Sequence, residues 1–589
     1  MTKNHKKMAI LIAAIIFGVM YCLAISLAYE EYSSIRNTDP LGMLHSLFPF
    51  CYIVIVLFAA LCLVCVLYDV GSRYFYILLL IEFSMMLWFT PYYLSGFSRE
   101  TDSLWNVGIA KHLADAGGQM MFSSYYKEYP ISFILNHVVM TISGIDAFIY
   151  ARLIYPLFCI ISIVLLWYVF VSRLFTYKIA FISTLIAILG VSPTVHICPQ
   201  SLGTLLVLAS AILLVTCRNR KSKIIGLLLI FTLITTHPIS PLILLIFMIA
   251  PYIAKVFVHN FKLPYLRSGI LATLCGWFGW ALFHATSTGT TIAESIYNMV
   301  TLNFGMQLEM MMRKASHTAG YVFPEISLLS KMVFYSYLII PLILFFRAII
   351  GLDLKKGIKK LLLQIGERVH CKELLILSIA FLCLTLSVAF VFSGVEVKER
   401  SFYLWERASF YFILAVSAYV GSNALIKSRK RKWTYAKAFT ISWFIFLVLA
   451  YPIINSEGES FLIYPPSEGA GMRFLQSSVQ LSGKILSMFL PSQLASYIDP
   501  ETRFNYQDTA DRIQFLSNLP LDNKLSLPDV MVFRRTEYFF VVYGYDKSFE
   551  NNRYTQALTW IDGSCEFNKI YSCSTFEVYI KFSNNSLPR

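Results

Sequence analysis

The chain has 589 residues, of which 57% are hydrophobic and only 14% charged, with a formal net charge of +15. A soluble core cannot absorb that much apolar surface, which excludes a soluble globular protein and points to a polytopic α-helical membrane protein. The positive charge gathers in short loops between apolar runs, so it reads as membrane topology and not as a nucleic-acid surface.

Lys3, Lys6 and Lys7 precede the first apolar run, 8–29, which is too long for a signal peptide and lacks a small-residue cleavage site. Further runs at 46–69, 74–94, 147–172, 179–193, 199–216, 224–237, 240–258, 268–287, 330–349, 374–394, 405–426 and 438–455 bring the predicted spans to about thirteen. With the N-terminus inside, the basic loops "CRNRKSK" (217–223), "LKKGIKK" (354–360) and "KSRKRKW" (427–433) fall on the inner side. The loops 95–146 and 288–329 and everything after 455 then face outward. Cys22, Cys62, Cys65, Cys159 and Cys383 lie in spans and read as small packing residues.

Three parts follow from this reading. Residues 1–73 hold two N-terminal spans, 74–455 form the rest of the membrane body, and 456–589 form a tail richer in charge, Asn and Pro. Within the tail, "VMVFRRTEYFFVVYGY" and "IYSCSTFEVYIKF" carry the β-branched and aromatic runs of strands, which predicts a small α+β extracytoplasmic domain. Cys565 and Cys573 flank "EFNKIYS" there, and a hairpin disulfide between them suits an oxidising compartment.

The outer loop 95–146 has internal order. Trp105, Ile109 and Leu113 recur every four positions, which predicts an amphipathic helix over 103–114 lying at the interface. Pro130 opens an apolar run over 131–142, too short to span, read as a second helix that dips in or lies flat. The second outer loop, 288–329, contains a Met-rich stretch that reads as a lid over a groove or as plain packing.

The order of these features resembles the GT-C superfamily of integral-membrane glycosyltransferases, closest to the protein O-mannosyltransferase and aminoarabinose-transferase branch and related archaeal membrane proteins. The counterparts of that branch's motifs are Asp102, then Lys127 with Pro130, then Gly144, Asp146 and Arg152. The acids here are spaced as Glu100-Thr-Asp102, Lys127 is followed by Glu-Tyr-Pro, and two spans precede the usual first one. The Trp-Trp-Asp signature of oligosaccharyltransferase catalytic subunits is absent. The resemblance implies a GT-C-like fold in the cell membrane. It also implies transfer of a sugar from a polyprenyl-phosphate-type lipid to an outer-face acceptor (protein, lipid or glycan), with inversion.

That chemistry needs a carboxylate to take the acceptor's proton and cations to hold the departing phosphate. Asp102 reads either as that base or as a helix N-cap. Glu100 shares the role, joins Asp102 in holding a divalent cation (Mg or Mn), or is an exposed loop acid; the sequence fixes no cofactor. Lys127 reads as a phosphate ligand or a snorkelling lysine, with Glu128 beside it as a partner. His196 and Gln200 in "SPTVHICPQ" and His237 in "ITTHPIS" occupy outer turns, as pocket residues or interfacial hydrogen-bonding groups. Arg407, at the start of a span, reads as a lipid-phosphate clasp or as half of an ion pair with Glu406, Glu396 or Glu399. The rivals to a transferase are a multi-span transporter or flippase, for which Glu82 is the clearest intramembrane acid, and a non-catalytic envelope assembly protein of GT-C-like shape.

Overall fold

The computed structural model describes residues 3–32, 50–68, 72–95, 101–113, 128–190, 193–216, 220–257, 266–286, 289–290, 324–349, 371–392, 402–426 and 434–460, together with strand residues 485–487, 530–534, 567–573 and 576–581.

Every predicted span coincides with a helix: α1 (Lys3–Tyr32), α2 (Phe50–Leu67), α3 (Arg73–Leu94), α6 (Ala147–Leu174), α7 (Tyr177–Ile188), α8 (Pro199–Thr216), α9 (Arg220–Thr236), α10 (Ser240–Phe257), α11 (Leu266–Phe283), α12 (Pro324–Ile349), α13 (Cys371–Phe392), α14 (Phe402–Ile426) and α15 (Thr434–Ser460). Two further helices among the described residues, α4 (Thr101–His112) and α5 (Ile131–Ser143), occupy the predicted outer loop. Among the described residues six helices are long and apolar enough to cross a membrane, within α1, α2, α3, α6, α10 and α12. That makes the chain a multi-pass membrane protein. Others are short: α7 covers only Tyr177–Ile188, where the run read from sequence extends to 193.

Helix α14 is the hub. It lies along α13 and α7 and also touches α12 and α15, while α10 packs on α13 and reaches α14 through Phe247 and Tyr411. α6 joins α3, α7 and α8; α8 joins α9 and α10; α11 closes against α9 and α10. Aromatic rings seam these contacts, as where Tyr76 stacks on Phe181 with centroids 4.5 Å apart and Tyr337 meets Trp443 edge-on at 4.9 Å. The helices α1 and α2 lean on α3 and α15, where Phe58 stacks on Phe83 and the Tyr52 hydroxyl donates to the Leu449 carbonyl at 2.9 Å.

Gly190 shows how close this packing is. A Cβ there would lie 2.5 Å from the Tyr337 hydroxyl and 2.6 Å from Ile413 Cγ2. Tyr337 is itself fixed, because its hydroxyl donates to the Ile186 carbonyl at 2.7 Å. We expect Gly190→Ala to lower stability by roughly 1–3 kcal/mol, as overpacking does, measured as a loss of thermal midpoint in detergent. Gly279→Ala, whose Cβ would meet nothing within 4 Å, is the control and should lose little.

Among the described residues two helices carry a π-turn, and each π-turn precedes a proline. Met85–Phe89 in α3 comes before Pro91, and Tyr150–Ile154 in α6 before Pro156. Proline lacks the N–H for the carbonyl four residues back and its ring crowds that carbonyl, so the backbone widens by a residue. The end of α3 and the start of α6 pack together at these turns.

In the tail, four strands, β1 (Ile485–Ser487), β2 (Val530–Arg534), β3 (Phe567–Cys573) and β4 (Phe576–Lys581), form one sheet in the order β1-β2-β4-β3. β1 runs parallel to β2 and the other pairs are antiparallel, with an irregularity between Lys569 and Tyr571. β2 and β4 fall within the two stretches read as strands, and β3 overlaps the second of them from Ile570 onward; β1 has only three residues and no sequence signal. Cys573 ends β3, and Cys565 lies outside the described residues.

Candidate functional site

α5 is an inside-out amphipathic helix. α5 buries Ser132, Phe133, Asn136 and Met140, and exposes Ile134, Leu135, Val138, Val139 and Ile142, the last 82% exposed. Polar residues at i and i+4 thus face protein while the apolar stripe faces outward, as suits a helix at a lipid surface. α4 likewise buries Ser103, Asn106, Val107 and Ala110. Of the apolar residues that predicted an interfacial helix, Ile109 is buried and Leu113 half-buried, and the side chain of Trp105 lies outside the described residues. Small side chains allow α4 to approach α5 closely, and His137 Nδ1 donates to the Ala110 carbonyl at 2.8 Å.

From these helices a ring of hydrogen bonds, joined by one aromatic contact, runs around one end of the bundle. Asn106 Nδ2 donates to the Ile197 carbonyl at 2.8 Å, tying α4 to the turn before α8. In that turn the Ser201 hydroxyl lies 2.9 Å from the His196 carbonyl, 2.8 Å from the Cys198 carbonyl and 2.7 Å from the Tyr155 hydroxyl. Carbonyls only accept, so the single Ser201 proton goes to one of them and Tyr155 donates to Ser201. Tyr155 meets Tyr150 edge-on, Tyr150 donates to Asn136 Oδ1 at 2.8 Å, and Asn136 Nδ2 donates to the Ser132 carbonyl, which returns the ring to α5.

Within this collar stand polar atoms with no hydrogen-bond partner among the described residues. Ser103 Oγ, Asn106 Oδ1 and Ser132 Oγ are buried without a partner, in residues that are 0%, 1% and 1% exposed. Each such group costs about 1–3 kcal/mol. Arg152 adds a cation. It sits in the α6 π-turn, with Nη2 donating to the Tyr93 carbonyl at 2.9 Å near the end of α3 and Nε buried without a partner. Asp146, six residues earlier, is committed as the cap of α6, its Oδ1 accepting from the Phe148 and Ile149 amides. Gly144 ends α5 at φ +63°, a left-handed conformation that favours glycine.

The sequence candidates distribute unevenly around this collar. Asp102 falls in the first turn of α4, not ahead of it, and lies one helical turn from Asn106; its side chain is outside the described residues, as are Glu100 and Lys127 altogether. Glu128 starts the approach to α5, and its carbonyl accepts from Trp280 Nε1 at 3.0 Å, anchoring that segment to α11. Gln200 donates to the Thr194 hydroxyl at 3.1 Å and so braces the His196 turn. His237 is buried: Nδ1 accepts from the Ser240 amide at 3.2 Å, capping α10, and its Cβ packs where Gly203 of α8 leaves room. Arg407 lies in the first turns of α14, with its side chain outside the described residues.

Cys198 belongs to the collar although nothing in the sequence singled it out. Burial pushes its thiol up, but the His196 imidazole beside it and the hydrogen bonds from His196 and Ser201 outweigh burial and hold it below the usual thiol range. Among the described residues no three His, Cys, Asp or Glu side chains gather to hold a metal ion. The described collar therefore offers hydrogen-bonding groups, the His196–Cys198 pair and one arginine, a set suited to a hydroxylated, phosphate-bearing ligand at a membrane surface.

Neither protein-family models nor curated proteins give any match to this chain.

Proposed function

We propose that the chain is a membrane glycosyltransferase of the GT-C type, which moves a sugar from a polyprenyl-phosphate-type donor to an acceptor on the outer face of the membrane. The observation that carries this reading is the inward-turned polar face of α4 and α5, which meets Arg152 and the His196–Ser201 turn at one end of an apolar bundle. A lipid-linked sugar has the matching division: a chain for the bilayer, a phosphate at its surface and hydroxyls beyond.

In this reading all thirteen apolar helices cross the membrane with the N-terminus cytoplasmic, and the collar and the C-terminal sheet are extracytoplasmic. The Asp102 carboxylate takes the proton of an acceptor hydroxyl as that oxygen attacks the anomeric carbon. The bond from that carbon to the phosphate oxygen breaks, and the electron pair leaves with the phosphate. Arg152, helped by Lys127 and Arg407, stabilises the charge that grows there. One displacement at the anomeric carbon inverts its configuration. A transporter would be expected to keep its working charges near the middle of the bundle, where Glu82 stands beside Gly18 of α1. The collar's position at an end favours the enzyme.

The test is transfer itself. Full-length protein in nanodiscs, given radiolabelled polyprenyl-phosphate sugars and a total membrane extract, should move label from the donor to a new species. Intact donor across a panel of lipid-linked sugars, with no binding of any of them, would sink the proposal.

A further inference from the structure

Glu82 is an acid that the collar leaves unexplained. It lies near the midpoint of the span Arg73–Leu94, one of the six long and apolar enough to cross a membrane. Its side chain is half-buried, and no side chain among the described residues hydrogen-bonds to its carboxyl or pairs with it. Oε1 lies against the bare backbone of α1, where a Cβ on Gly18 would come within 2.5 Å of it. Gly18 in turn stands near the midpoint of its own span, Met8–Leu27. Toward the Thr90 end α1 is fastened to α3, because the Tyr21 hydroxyl lies 2.8 Å from that of Thr90 and also reaches the Met86 carbonyl. Toward the other end α3 turns Tyr74 and Leu78 outward, on the stripe of every fourth residue that also carries Glu82.

A carboxyl at this depth is costly, and intramembrane acids are found paired or at work. This chain supplies no cation for it. Across α1–α3 and α6–α15 every lysine and arginine stands near a helix end, as Arg73, Arg152, Arg173, Lys255 and Lys331 do. A second copy of the chain has the same helices and would bring only another acid.

We propose that the junction of α1 and α3 at Glu82 receives the transmembrane helix of a partner protein, one that carries a lysine or arginine at mid-membrane depth. This goes beyond the transferase reading and does not depend on it. The Glu82 carboxylate supplies the counter-charge for the partner's cation. Gly18 leaves room for the carboxyl between the two helices, and the outward stripe of Tyr74 and Leu78 gives an incoming helix a surface to pack on. In lipid, helices do not associate to hide apolar surface from water, so a polar contact and close packing are what hold such a helix. The two N-terminal spans, which lean on α3 and α15, then serve to build this site.

The probe is a synthetic single-span helix of leucines with one central lysine, labelled for energy transfer and added to labelled full-length protein in lipid vesicles. One twin carries leucine in place of the lysine, and another has the lysine moved two turns toward an end. The central-lysine helix should associate about 3–30-fold more tightly than the all-leucine helix, the range of one or two polar contacts between helices in lipid. Glu82→Gln should erase this gain, and the displaced lysine should not show it. Glu82→Gln should also keep the thermal midpoint of the wild type, since no described residue relies on the carboxyl, so a lost gain is not a lost fold.

Equal association of the lysine and leucine helices would overturn the site, the carboxyl then being kept neutral by its own proton. A gain that survives Glu82→Gln, or that the displaced lysine shares, would overturn it as well. Self-association of the protein without any peptide, abolished by Glu82→Gln, would overturn it and make a second copy the occupant. None of these results touches the transferase reading, which stands or falls on transfer.

Discussion

Asp102→Asn is expected to lower the rate of sugar transfer by roughly 10²–10⁴-fold, the range lost when a positioned general base is removed, with donor affinity little changed. Asparagine keeps the size and the hydrogen-bonding outline of aspartate but cannot accept a proton, so a purely structural Asp102 would tolerate it. Asp102 also lies in the first turn of α4, where a carboxylate is favoured by the unpaired amides of the helix N-terminus. Loss of that interaction costs about 0.3–1 kcal/mol and would appear as a lower thermal midpoint, not as a slower turnover at saturating donor. The two contributions separate when kcat and thermal stability are measured on the same preparation. A variant with normal kcat and reduced stability would assign Asp102 to the helix and move the search for a base to Glu100. Glu100→Gln is the companion variant and should retain most activity if Asp102 alone takes the proton.

The membrane body was legible because its signal is long and redundant. Runs such as 147–172 repeat one message over many residues, and α6 forms there as expected. The site was legible only in outline. The sequence located α4 and α5 and put Asp102, His196 and Gln200 on one side of the membrane, but did not show which polar residues of α5 turn inward. The reason is physical: at a lipid surface the apolar stripe of an amphipathic helix faces the lipid, so the rule that apolar means buried reverses. Exposed Ile142 and buried Asn136 on one helix are that reversal. The pairs Ser103/Asn106 and Ser132/Asn136 carried a usable signal, small polar residues at helical spacing inside apolar runs, which in a soluble helix would mark the solvent face. Tyr155, Ser201 and Cys198 had no such signal, because their meeting depends on how α6 packs on α8 and on the turn that precedes α8. Arg152 was visible as part of a motif, but its presentation depends on the π-turn ahead of Pro156, which a count of residues per turn does not reveal.

Arg152→Gln is expected to raise the donor KM by about 10–100-fold, which corresponds to losing a charged hydrogen bond worth about 1.5–3 kcal/mol. The argument starts from the geometry of the guanidinium. Nη2 is held by the Tyr93 carbonyl, while Nε is buried without a partner, so one edge of the fork is anchored and another remains for a ligand. A phosphate fits that edge through charge and through planar donor geometry. Arg152→Lys keeps the charge but has a single nitrogen at its tip, which cannot both hold Tyr93 and reach the phosphate in the fork's geometry. Its KM should fall between those of the wild type and Arg152→Gln. The competing account is that Arg152 merely staples the end of α3 to the start of α6. In that case both variants would lower the thermal midpoint without donor, and added polyprenyl phosphate would stabilise them as much as it stabilises the wild type. If Arg152 meets the phosphate, that donor-dependent stabilisation is what disappears, and it disappears first at high ionic strength, because a single charge at a membrane rim is partly screened by salt.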